Sequence, residues 1–121
     1  MIDHAAVRRI AAALPDVVDK TSADKLVFNV NGRLLAWSAL QRLQPKAPRV
    51  SNPRVLAVRC PMERKEFLIE AAPDLYFDDD HYRGYEAVLV RLDAIGEDEL
   101  AALLASACSE QAAKPRRKRK T

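Results

Sequence analysis

The spacing of apolar residues along the chain changes period several times, and each change marks an element. In IDHAAVRRIAAALPD, Val7, Ile10, Ala11 and Leu14 recur at helical spacing. Asp3 suits an N-cap because its carboxylate accepts from the free amides of a first turn, Ile2 with Val7 fits the hydrophobic staple, and Pro15 cannot continue a helix. The segment predicts an amphipathic helix of about three turns. In KLVFNVNGRLLAW, two apolar runs flank Asn31-Gly32, a pair that tolerates positive φ at both central positions of a type I′ turn. This predicts a hairpin with strands near 25–30 and 33–38. Residues 39–54, ALQRLQPKAPRVSNPR, hold three prolines and predict an irregular excursion, after which VLAVR restores strand character at 55–59.

The period then returns to that of a helix. Pro61 suits the first helical position, Glu63 lies favourably near the positive end of the dipole, Phe67, Leu68 and Ala71 are expected on the buried side, and Pro73 stops the run. After the apolar LYF at 75–77 and a polar approach, AVLVRL at 87–92 is β-branched, apolar and free of glycine, which predicts a central strand. GEDELAALLASACSEQA opens with three acids and sets Leu100, Leu103, Leu104 and Ala107 on one stripe, predicting a closing helix. Strands joined by a tight hairpin cannot all be parallel, so the class is α+β: an antiparallel sheet covered by helices, in the order α-β-β-β-α-β-α with one or two strands before the last helix.

A chain of 121 residues is one domain and long enough to bury a core without disulfides or a structural metal. Its apolar runs are too short to span a bilayer and no signal-peptide pattern opens it, so a soluble chain without a membrane partner is expected. Cys60 and Cys108 lack zinc-ribbon or CxxC spacing, which favours a reducing cytoplasm. The net charge of +3 conceals a division. KPRRKRK at 114–120 carries six of the 20 basic residues and no acid, leaving 14 bases against 17 acids in residues 1–113, a net −3. The expected organisation is a domain over 1–113 and a disordered basic tail over 114–121 that binds polyanions.

The short N-terminal helix ending in ALPDV, the NGR hairpin, the proline-led helix ending at AAPDLYF and the block HYRGYEAVLVRLDAI before an acidic-capped helix resemble the MmcQ/YjbR-like proteins, over roughly residues 2–112. The resemblance implies a CyaY-like fold, similar to that of the bacterial frataxin homologues, and a DNA-binding role through a double wing of strand hairpins. An aspartate is common in that pattern where Cys60 stands here.

Few residues suggest chemistry. Asp78, Asp79 and Asp80 precede His81, yet neighbours in an extended segment point to opposite faces and no metal-ligand spacing is present, so a solvated loop is expected and no metal or other cofactor. His81 lacks a nucleophile elbow or phosphate loop beside it and is expected to tether its loop; no catalytic residue is assigned and no enzyme expected. Cys60 at a helix N-terminus and Cys108 on the last helix are expected to be inert thiols. The acid-free excursion is the better candidate. Arg42, Lys46, Arg49 and Arg54, with Arg33 on the hairpin, Arg83, and Lys114, Arg116, Arg117, Lys118, Arg119 and Lys120 of the tail, are the expected phosphate contacts, with Trp37 available for stacking. The expected function is non-enzymatic DNA binding by a cytoplasmic monomer. The alternative is an interaction or small-ligand module in which Trp37, His81, Tyr82 and Tyr85 form a pocket and the tail is incidental.

Overall fold

The computed structural model describes residues 2–23, 25–42 and 44–113. The tail residues Lys114, Arg116, Arg117, Lys118, Arg119 and Lys120 lie outside the described residues. Among those described, the elements run α1 (His4–Ala12), β1 (Val17–Asp19), β2 (Val27–Val30), β3 (Arg33–Gln41), β4 (Val50–Arg59), α2 (Met62–Ala71), β5 (Tyr76–Phe77), β6 (Ala87–Arg91) and α3 (Glu97–Ala113). The strands form one antiparallel sheet in the order β1-β2-β3-β4-β6-β5. The α+β class and the overall order follow the sequence pattern.

Alternation along the central strands divides the sheet into two faces. Leu56 and Val58 of β4, with Val88 and Val90 of β6, join Phe28 and Val30 under α1 and α3, where Val7, Ile10, Leu100 and Leu104 complete the main core. Val55, Ala57, Ala87 and Leu89 point the other way, against Trp37, Ala39 and Tyr82. Helices therefore cover one face, and the segment between β5 and β6 covers part of the other. The α1 start is capped as its sequence predicts, with Asp3 Oδ1 accepting from Ala6 N at 2.9 Å. The predicted stripe of α3 is buried at Leu100, Leu103, Leu104 and Ala107. Asn31 and Gly32 have φ of 57° and 76°, and Val30 pairs with Arg33 across them, as a type I′ hairpin requires.

Four expectations need correction. β1 pairs with β2 although its three residues carry no strand pattern. The excursion is shorter than 39–54, because β3 continues to Gln41 and β4 begins at Val50. Pro53 fits inside β4 because the β3–β4 register shifts between Ser38 and Leu40, and β6 pairs with β4 only from Val55. No ladder amide is needed from it at such a place. Pro61 is the N-cap of α2 rather than its first helical residue, and no side chain caps it. The buried side of α2 is also different: Phe67 is 67% exposed and Ala71 exposed, Leu68 is half-buried, and Lys65 is the buried residue.

Candidate nucleic-acid interface and an adjoining groove

β2 begins at Val27, opposite Trp37, and β6 reaches β4 only as far as Val55. The ends of β3 and β4 therefore run on as a two-stranded ribbon past their neighbours, pairing as far as Gln41 and Val50. From 38 to 54 this wing contains no acid. Arg42, Lys46 and Arg49 are exposed on it, and the Arg42 guanidinium donates to the Ala47 carbonyl, folding the tip. Lys46 has a φ of 67°, in the left-handed region that favours glycine. At the base, Asn52 Nδ2 donates to Gln41 Oε1 at 2.9 Å, and Gln41 Nε2 donates to Asp79 at 3.0 Å. His4 Nε2 donates to the Pro53 carbonyl at 2.8 Å, fixing the wing to the start of α1. Arg54 is exposed at the same base but engages Asp93 at 3.4 Å.

Residues 78–86 fasten to that base from the far side of the sheet. Asp78 accepts from Lys65 Nζ at 3.2 Å, Asp79 accepts from Tyr82 N at 3.0 Å as well as from Gln41, and Asp80 pairs with Arg83 at 2.9 Å. Gly84, with φ of 76°, supplies the turn. The buried Tyr82 hydroxyl accepts from Trp37 Nε1 at 3.2 Å and from Leu40 N at 3.0 Å. Lys65 is 1% exposed, and its ammonium donates to the Tyr82 and Tyr85 carbonyls at 2.8 and 2.9 Å. The three aspartates thus pin the loop to α2, to the wing and to itself. No group of three or more His, Cys, Asp or Glu side chains among the described residues is arranged to hold a metal.

Trp37, His81, Tyr82 and Tyr85 do come together. Trp37 and Tyr82 are buried with ring centroids 6.4 Å apart, while the exposed His81 meets Tyr82 edge-on at 4.7 Å and Tyr85 is 44% exposed. They form a packed cluster, and none of the four lines the grooves at the two ends of β3. Arg83 is exposed on the loop. Arg33 is not part of the wing: it opens β3 while Arg42 follows its last residue, a separation of roughly 30 Å at strand rise.

Arg33 lines a groove of about 370 Å³ at that opposite end, between the β2–β3 turn, the start of α2 and the last turns of α3. Arg59 lines it too, its guanidinium carbon 5.4 Å from the Trp37 ring centre and 5.1 Å from that of Tyr85. Glu86 and Glu110 add carboxylates, and Gln111 Nε2 donates to the Leu34 carbonyl at 2.9 Å. Asn29 Oδ1 is buried beside the groove without a hydrogen-bond partner. Cys60 also lines it, and burial pushes its thiol up to about 11, so it remains a neutral thiol near pH 7. Burial likewise raises Cys108. Asn29, Arg59, Glu86, Glu110 and Gln111 were not marked as site residues by the sequence, because they come from separate segments and share no spacing. A second groove, of about 310 Å³, lies beside the wing base and includes Gln41, Asn52, Phe77 and Arg91.

This is an antiparallel sheet with helices on one face and a strand ribbon projecting from one end. The chain belongs to the YjbR family, which matches residues 12–107. It is 34% identical over 118 residues to the uncharacterised proteins Mb2600 of Mycobacterium bovis and Rv2570 of Mycobacterium tuberculosis, covering 89% of this chain and 87% of each relative. The crystal structure of Deinococcus radiodurans protein DR2400, a DUF419 domain, is similar with a TM-score of 0.63 at 23% identity, over 89% of this chain and 77% of that one. That likeness shows the fold. Among the described residues no helix is long and apolar enough to cross a membrane.

Proposed function

We propose that this chain binds DNA without catalysing a reaction on it, through the β3–β4 wing and the basic C-terminal segment. The observation that supports this reading is the projecting ribbon, free of acid from 38 to 54, with Arg42, Lys46 and Arg49 exposed at its end. A duplex carries a phosphate charge about every 1.7 Å of its axis, and cations brought to it release condensed counterions. The wing supplies cations on a short, anchored base; KPRRKRK supplies six more without sequence preference. The globular part, net −3, is otherwise unfavourable towards a polyanion, so contact is confined to these two places.

Duplex affinity measured against salt, for the full chain and for a chain ending at Ala113, tests this. The shorter chain is expected to bind more weakly with a shallower salt slope and still to bind. Lys46→Glu with Arg49→Glu is expected to weaken it further, each lost phosphate contact reducing the slope by about 0.9. Loss of all binding on removal of 114–121 would leave the tail as the sole contact and overturn the wing's role.

A further inference from the structure

We propose that the groove between the β2–β3 turn, the start of α2 and the end of α3 is a binding site for a small zwitterion of the amino-acid class. Its volume, about 370 Å³, lies at the lower end of the range for small-molecule sites. Two guanidinium groups, Arg33 and Arg59, and two carboxylates, Glu86 and Glu110, line the same space. A ligand of a single charge would meet an opposing pair; one carrying both charges satisfies each.

The roles follow from what each group already engages. Arg59 makes no ion pair among the described residues, and its guanidinium is held over Trp37 and Tyr85. Stacking fixes the plane of the fork while leaving its N–H edge to a carboxylate, which it matches in a bidentate manner. Glu110 is engaged by Arg64 at 3.3 Å, which leaves Glu86 as the carboxylate for an ammonium group. Asn29 lines the same wall of the groove, its Oδ1 buried behind it. Donor and acceptor demands thus match an α-ammonium and α-carboxylate on one small molecule. The groove lies at the end of β3 away from the wing, so this site is independent of DNA contact.

The full-length ¹⁵N-labelled chain, titrated with each of the twenty free amino acids to about 10 mM, tests the proposal. At least one amino acid is expected to shift the amides of Asn29, Gly32, Arg33 and Gln111 saturably. Its N-acetyl derivative, lacking the ammonium, and its carboxamide, lacking the carboxylate, are each expected to bind about tenfold more weakly or worse. Arg59→Gln and Glu86→Gln are expected to weaken the free amino acid by a similar factor; Glu86 is exposed, so that variant keeps the fold. If none of the twenty shifts these amides, or if binding survives removal of either charge from ligand or groove, the proposal is overturned.

Discussion

Lys65 shows how one side chain organises a surface. Its ammonium is withdrawn from water and all of its donors have partners: two carbonyls, Tyr82 and Tyr85, and the Asp78 carboxylate. A buried charge is tolerated only where it is satisfied in this way. The segment that covers the open sheet face is therefore held by a cation reaching through from α2. Lys65→Met keeps a similar volume but removes both bonds to the loop carbonyls and leaves Asp78 without its cation, and is expected to lower stability by about 3 kcal/mol in urea titration. Faster amide exchange confined to residues 78–87 would separate the loss of this tether from general loosening. Phe67 offers the contrast: at 67% exposure it has the apolar character of a core residue without the environment. The sequence of α2 invited the opposite assignment because a lysine is rarely a core residue, and only the tertiary demand of three oxygen acceptors explains this one.

Among elements, legibility followed the strength of local rules. The NGR turn specifies its own backbone, so the β2–β3 hairpin could be placed from two residues. The α3 stripe needed only helical periodicity, and the β6 run only its β-branched character. β1 was hidden because three residues are too few to show a period, and it is a strand only by pairing with β2 at the sheet edge. The length of the wing was hidden for another reason. Prolines oppose strand in general, but Pro53 lies where β4 lacks β6 as a neighbour and the β3 register shifts, which sequence does not display. The cations of the wing were visible as an acid-free run, whereas the groove at the other end was invisible because it is assembled from β2, β3, β4, α2, the turn before β6 and α3.

For the whole molecule, the two buried thiols give a measurable dependence on pH. Burial raises Cys60 from 9.0 to about 11 in the fold, so between these values the unfolded chain releases a proton that the native chain keeps. The native state is then disfavoured: stability is intact below about pH 9 and falls as pH rises towards about 11. Cys108 is raised as well and acts in the same direction. Unfolding free energies over that interval are expected to decline, and Cys60→Ala is expected to flatten the decline relative to the parent chain. The pH dependence concerns the core beneath the helices; the opposite end of the molecule responds to a different conflict, at Lys46. Its left-handed backbone is one that glycine occupies without steric penalty. Lys46→Gly is expected to raise stability by about 0.5–1 kcal/mol in thermal or urea unfolding and, on the proposed DNA-binding role, to weaken duplex affinity and its salt dependence. Under the proposed DNA-binding role, robustness and affinity move in opposite directions at a single position, so a search for hardier variants that screens only for melting temperature would select against that role.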